Sequence, residues 1–225
     1  MIFTNEDCME LMARYPDKHF DLAIVDPPYG ISDFSPDAWH GRGKLRDRAF
    51  KRLNSTFDKI KPNKEYFMEL FRVSKNQIIF GGNYFELPPT RGIIFWDKMQ
   101  PWKNFSQFEY AWSSFNVPAK KIELTSAASE KIHPTQKPIA LYKWLLLNYA
   151  KPGDLILDTH VGSASSLIAC EELGFDYVGC ELDADYYRAA CERIEKYRSQ
   201  PQLFAGELHV QNKQKLDNER GLYEL

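Results

Sequence analysis

Two short stretches of this 225-residue chain carry residue types and spacings that could do chemistry. The first is Asp26-Pro27-Pro28-Tyr29, followed by Gly30. A carboxylate accepts hydrogen bonds, and an aromatic ring offers a flat face. The two prolines between them lack an N–H and fix their own φ near about −65°. Asp26 and Pro27 each precede a proline and are pushed out of the helical region, so the backbone there is stiff and extended. Taken alone, the tetrapeptide is equally well read as a plain turn, because Asp, Pro and Gly favour turns for local reasons. The second stretch runs from Asp158 through Thr159, His160, Val161, Gly162, Ser163, Ala164 and Ser165 to Ser166. Its small residues let a ligand approach the backbone, and a helix starting there presents unpaired N–H groups to an anion.

The elements that must position these residues follow from the apolar pattern. Leu22, Ala23, Ile24 and Val25 form a short continuous apolar run. That pattern suits a strand covered on both faces, with Asp26 at its carboxyl end, where open α/β sheets place their ligands. Asp154–Asp158 reads as a second buried strand, followed by the small-residue loop and a helix to about Leu173. Phe175–Cys180 is a further strand ending at Glu181. That acid lies 19 residues beyond Gly162, a spacing that suits hydrogen bonds to ribose hydroxyls. A dinucleotide fold would use the same logic. The loop, however, has one glycine rather than three, which suits a carboxylate or amino group better than a pyrophosphate. His160 reads as a packing or capping residue.

Strands are also expected at Met1–Thr4, Gln77–Phe80, Gly92–Trp96 and Phe108–Phe115. Helices are expected at Glu6–Tyr15, Glu65–Val73, Ile139–Tyr149 and Ala184–Tyr197. Strands alternating with helices indicate a mostly parallel sheet. The chain length suggests one domain over residues 1–200, with a polar tail at 201–225. Between Arg42 and Lys64 nine basic residues face two acidic ones, Asp47 and Asp58. This loop-like insertion, about 32–64, reads as a phosphate-binding flap.

The whole chain is nearly balanced, at −2, with 44% hydrophobic and 27% charged residues, as is usual for a soluble globular protein. No apolar run is long enough for a bilayer, and the N-terminus lacks the pattern of a secretory signal. Cys8, Cys170, Cys180 and Cys191 show no CxxC pairing. They read as reduced thiols in a cytoplasmic protein, with no metal site expected.

In this order the motifs resemble those of the S-adenosylmethionine-dependent DNA amino-methyltransferases. Asp26–Tyr29 is similar to their catalytic tetrapeptide, and Leu157–Ser166 to their cofactor loop. His133–Pro138 is similar to the segment ahead of that loop. Asn5-Glu6-Asp7-Cys8, Phe80-Gly81-Gly82-Asn83-Tyr84 and Phe95-Trp96-Asp97-Lys98 resemble further family segments. The catalytic motif precedes the cofactor motif, as in the permuted group called the beta class. Thr159-His160 stand where proline and an aromatic are usual, and Ala164 replaces a second glycine.

The resemblance implies an α/β, Rossmann-like methyltransferase fold with a seven-stranded, mostly parallel sheet and helices on both faces. It implies that Asp7 and Cys8 hold the adenine of S-adenosylmethionine and that Glu181 holds its ribose. Asp158, Gly162, Ser163 and Ser165 would line the methionine end, with Thr135 and Lys137 nearby. Asp26 and the Pro27 carbonyl would accept hydrogen bonds from the amine of a flipped base on which Tyr29 stacks, with Pro28 stiffening the turn. The implied partner is double-stranded DNA. Aspartate at position 26 leans towards N6 of adenine. Residues 99–132 are the expected recognition segment, short enough that a homodimer would help cover a duplex. The alternatives are N4-cytosine methylation, RNA adenine methylation and a catalytically inactive DNA-binding relative.

Overall fold

The computed structural model describes residues 1–31, 61–101, 106–125, 132, 133 and 135–200. Most of the basic insertion, the whole C-terminal tail and parts of the 99–132 segment lie outside the described residues. The described chain builds one eight-stranded sheet. Its strands are β1 (Ile2–Asn5), β2 (Phe20–Val25), β3 (Ser74–Phe80), β4 (Ile93–Asp97), β5 (Phe108–Ser113), β6 (Lys120–Glu123), β7 (Leu155–Asp158) and β8 (Asp176–Glu181). The helices are α1 (Cys8–Ala13), α2 (Lys64–Val73), α3 (Ile139–Tyr149), α4 (Ser165–Leu173) and α5 (Ala184–Arg198).

The strand order is β1-β8-β7-β2-β3-β5-β4-β6. Only β5 runs against the others, pairing antiparallel with β3 and β4. The mostly parallel reading therefore holds, with one strand more than the expected seven. The extra strand is β6, which pairs with β4. Its sequence, Lys-Lys-Ile-Glu, holds one apolar residue, so no hydrophobic signal marks it. It sits at the sheet edge, where a strand needs little burial.

Strand β2 is the centre. Leu22 and Ala23 pair with Ile156 and Leu157 of β7, and Leu22–Val25 pair with Asn76–Ile79 of β3. Alternate residues of β2 serve opposite cores. Leu22 and Ile24 pack into a cluster with Leu141, Leu145, Leu167 and Ile168, on the side of α3 and α4. Ala23 and Val25 pack with Leu11, Met12, Tyr66, Phe67 and Leu70, on the side of α1 and α2. Two-sided cover explains why this strand reads as an unbroken apolar run rather than an alternation.

Several local rules set the element ends. Asp7 caps α1 by accepting a hydrogen bond from the Met9 N–H at 2.7 Å, so the helix starts at Cys8 rather than Glu6. Asn63 caps α2 in the same way through the Tyr66 N–H. Helix α2 passes directly into β3, and Arg72 in its last turn ties it to α1 by donating to the carbonyls of Met12 and Tyr15. Asp21 joins three strands: its carboxylate pairs with Lys75 of β3 at 2.6 Å and accepts the Leu155 N–H of β7 at 2.9 Å.

Ile78 is fully buried in β3 against the larger core. Ile78→Ala is expected to cost about 2–5 kcal/mol, since transfer and cavity terms add. Urea unfolding followed by circular dichroism checks this.

Candidate active site

Parallel pairing brings the carboxyl ends of β1, β8, β7, β2 and β3 to one edge of the sheet. Asp26 follows β2, Gly81 follows β3, Asp158 ends β7 and Glu181 ends β8. From β2 the chain moves outward to β3, and from β7 it moves the other way to β8. The boundary between β2 and β7 is thus a switch point, where a crevice opens outside the strand ends. Asp26 and Asp158 flank it.

On the β2 side, Asp26 stands in a buried chain of charges. The Tyr29 hydroxyl donates to Asp26 Oδ1 at 2.7 Å. Lys137 Nζ donates to Asp26 Oδ2 in a short ion pair. The same ammonium lies 3.2 Å from Glu109 Oε2, and Lys98 Nζ pairs with Glu109 Oε1 at 2.7 Å. The Lys137 ammonium also sits 4.6 Å from the centre of the Phe80 ring. Burial alone would pull the Lys137 ammonium down, but the two carboxylates outweigh it and hold it above its ordinary range. Burial raises the Asp26 carboxyl against the pull of Lys137, with Glu109 adding like-charge repulsion. Burial likewise pushes the Tyr29 hydroxyl well up, with Asp26 and Glu109 adding to it.

The Tyr29 ring explains the glycine at position 81, and Trp112 the glycine at position 82. A Cβ on Gly81 would fall 2.2 Å from Tyr29 Cε1, and Gly81 holds φ at +66°. A Cβ on Gly82 would fall 2.5 Å from Trp112 Cβ. The ring lies over bare backbone and stacks on Tyr84, with centroids 4.9 Å apart and planes 16° apart.

On the β7 side, the small-residue loop is held from several directions. Asp158 accepts from the His160 N–H at 3.0 Å and from the Ser166 hydroxyl. Its carboxyl is pushed up to about 7, mainly by burial. Glu181 accepts from the N–H groups of Gly162 and Asp183 at 2.8 and 2.9 Å, and burial raises it too. Thr159 Oγ1 lies 2.7 Å from the Tyr66 hydroxyl and 2.9 Å from His160 Nδ1. The His160 ring is lowered to about 4 by burial, so it is neutral at pH 7, in keeping with a packing role. Gly179 has no Cβ, and one there would meet Val161 at 2.7 Å, so the loop lies close on β8.

Ser163 and Ser165 are buried and lie 3.2 Å apart, hydroxyl to hydroxyl. Arg193 of α5 donates to the Ser163 carbonyl and to Ser165 Oγ at 2.5 and 2.9 Å. Sequence reasoning missed Arg193, since an arginine on a polar helix looks like a surface residue. It also missed Glu109, which sits in a strand of mixed character. Thr135 is exposed and pairs with His133 Nδ1 at 3.0 Å. Asp7 and Cys8 open α1 just beyond β1, and Asn5 of β1 lies opposite Glu181. Burial pushes the Cys8 thiol up to about 12. Lys137, grouped with the cofactor residues from its position in the sequence, contacts Asp26 directly. Among the described residues no cluster of His, Cys, Asp and Glu could hold a metal, and no helix is long and apolar enough to cross a membrane.

The mixed sheet with its helices forms a Rossmann-like methyltransferase fold. Solved structures agree: the M1.HpyAVI–SAM complex aligns with a TM-score of 0.54 at 20% identity, over 85% of this chain and 98% of that one. The PvuII DNA methyltransferase (cytosine-N4-specific) aligns at 0.57 and 12% identity, over 96% of this chain and 92% of that one. Residues 96–192 match the DNA methylase family model of the N6/N4 type. Among curated relatives, the Type II methyltransferase M.HpaI of Haemophilus parainfluenzae is 37% identical over 67 residues, 30% of this chain and 21% of that protein. The Type II methyltransferase M2.DpnII of Streptococcus pneumoniae is 28% identical over 152 residues, 67% of this chain and 54% of that protein. The chain thus spans about half or less of the length of these relatives.

Two expectations follow. Ala164 precedes α4 with φ +61° and is fully buried. That left-handed backbone costs an alanine about 1–2 kcal/mol. Glycine would relieve it but lose a buried methyl, about 0.8 kcal/mol, and add chain entropy of similar size. Ala164→Gly should therefore stay within about 1 kcal/mol of the wild type in urea unfolding. Ala164→Val, β-branched in this conformation, should lose about 3 kcal/mol or more.

The second concerns Asp158. Its folded carboxyl, near 7, lies above the ordinary 3.8. The native state therefore binds more protons than the unfolded chain between these values. Its contribution to stability is whole below about pH 4 and is lost as pH rises through about 7. Between pH 5 and pH 8 the wild type should lose more stability than Asp158→Asn, as measured by urea unfolding at both pH values.

Proposed function

We propose that this chain transfers a methyl group from S-adenosylmethionine to the exocyclic amine of a base flipped out of double-stranded DNA, with N6 of adenine as the acceptor. The observation that carries the reading is the placement of Asp26, stiffened by two prolines, beside Asp158 across the switch point. The match of residues 96–192 to the DNA methylase family model supports the reaction class. The M1.HpyAVI–SAM complex and the two Type II methyltransferases support the cofactor and substrate.

The residues present fit the cofactor. Glu181 keeps lone pairs for two ribose hydroxyls, since each of its oxygens accepts one backbone N–H. Asp158, with its carboxyl pushed up by burial, suits a cationic amino group, which would hold it ionised. Gly162, Ser163 and Ser165 shape the methionine end, with Thr135 alongside, and Asp7 and Cys8 take the adenine. S-adenosylmethionine supplies a sulfonium methyl, an electrophile that needs no metal.

The target amine is a poor nucleophile because its lone pair is delocalised into the base. Asp26 accepts one of its hydrogens, and the Pro27 carbonyl accepts the other. Two fixed acceptors draw the nitrogen towards a tetrahedral form and aim its lone pair. Tyr29 stacks on the flipped base. After transfer the methylated nitrogen carries one proton too many, and the Asp26 carboxylate is in position to take it. Two acceptors serve the N4 amine of cytosine as well; aspartate at position 26 favours adenine. The basic insertion at 32–64 and the 99–132 segment would contact the duplex, in a cytoplasmic enzyme that pairs as a homodimer to cover it.

Asp26→Ala should reduce methyl transfer by on the order of a hundredfold or more while leaving S-adenosylmethionine binding nearly intact. Labelled-methyl transfer to unmethylated duplex DNA, with the product nucleoside identified, and calorimetry of cofactor binding provide the two readouts. Normal turnover by the variant would overturn the mechanism. N4-methylcytosine as product would move the acceptor assignment.

A further inference from the structure

The charge chain behind Asp26 extends beyond what the proposed reaction uses. Lys137 is buried, at 4% exposure, and lies between two carboxylates rather than one. Glu109 comes from β5, the one reversed strand, and Lys98 from just past β4. Lys98 takes Glu109 Oε1, which leaves Oε2 turned to Lys137 at 3.2 Å, buried and out of line for a hydrogen bond. The antiparallel hairpin of β4 and β5 thereby sets where the ammonium stands. Glu109 is the only acidic group besides Asp26 that pairs with Lys137 among the described residues.

We infer that Glu109, anchored by Lys98, is a positioning residue that holds the Lys137 ammonium on Asp26 and so fixes the charge with which Asp26 meets the target amine. The inference rests on the reading of Asp26 as the acceptor for that amine. Glu109 does not touch substrate; it acts through Lys137. The arrangement has two opposing parts. Lys137 favours ionised Asp26, while Glu109 disfavours it by like-charge repulsion but keeps Lys137 protonated and in place. The other groups facing this cluster are the Tyr29 and Tyr142 hydroxyls and Asp158 around Asp26, and His133 near Lys137.

The test follows the Asp26 carboxyl directly, by carbon-13 NMR titration of aspartate-labelled full chain, with Asp26→Asn assigning the signal. Lys137→Met should move the Asp26 titration to higher pH by about one unit or more, because an opposite charge within contact distance is lost. Glu109→Gln should move it the same way by a smaller amount, because the ammonium is no longer held on Asp26 and that loss outweighs the like charge removed. Lys137→Arg keeps the charge and should titrate near the wild type, which guards against Lys137→Met failing to fold. If Lys137→Met does not fold, an Arg variant that titrates with the wild type, together with the upward shift in Glu109→Gln, supports the inference.

A downward shift in Glu109→Gln, or no shift, would overturn it. Methyl transfer to duplex DNA is measured on the same samples across pH, and the acid limb of kcat/KM should move with the carboxyl in each variant. Upward carboxyl shifts in both variants with no transfer in any protein, wild type included, would support the positioning and overturn the reading of the reaction. Transfer whose acid limb ignores the carboxyl shifts would overturn the positioning role.

Discussion

Parallel pairing of β2 with β7 on one side and β3 on the other decides where every polar group of the site stands. Because all three strands point the same way, their last residues share one edge. The chain leaves that edge in opposite directions, which places Asp26 and Asp158 on either side of the switch point. The two cores that sandwich β2 hold this register: a slip of one residue would send Leu22 and Ile24 to the side meant for Ala23 and Val25. Small and large residues would then trade places against α2 and α3.

The second dependence is electrostatic. A carboxylate at the bottom of a crevice is costly to bury alone. Here Asp26 is accompanied by a hydroxyl and an ammonium, and the ammonium by a second carboxylate that reaches Lys98. Desolvation of such a set is offset only if each member keeps a partner; in general, removing one partner from a buried pair costs about 3–5 kcal/mol. Tyr29 belongs to the same unit. Its hydroxyl lies on Asp26 and its ring lies on the bare backbone of Gly81, so packing and charge fix one side chain together. The loop at Asp158 is held differently, by backbone N–H groups, serine hydroxyls and the guanidinium of Arg193. That difference leaves one wall of the crevice built on ion pairs and the other on hydrogen bonds from backbone N–H groups, hydroxyls and one guanidinium.

How much of this could be read beforehand depends on the kind of signal. The β2 strand and the strand–loop–helix around Gly162 were legible because continuous apolar runs, prolines and small residues are local features. The paired glycines were visible, but their reasons were not, since Gly81 depends on a ring 52 residues earlier in the chain and Gly82 on Trp112 of β5. Lys137 was noticed within its motif, yet its partner lies 111 residues away, and no spacing rule links them. Glu109 and Arg193 carried no local mark at all. The start of α1 was misjudged because Asp7 looks as much like a first-turn acid as a cap.

Strand β6 escaped notice for a reason that bears on the behaviour of the molecule in concentrated solution. It closes the described sheet on the β4 side, and its outer line of N–H and C=O groups pairs with no further strand among the described residues. An open edge of that kind invites edge-to-edge association with another chain. Lys120 and Lys121 stand on it, one reaching Asn148 and the other bridging Asp97 and Glu123. Two cations side by side repel their counterparts on a second copy. The charges that hide β6 from a hydrophobicity reading are thus the ones that discourage the sheet from growing into its neighbours.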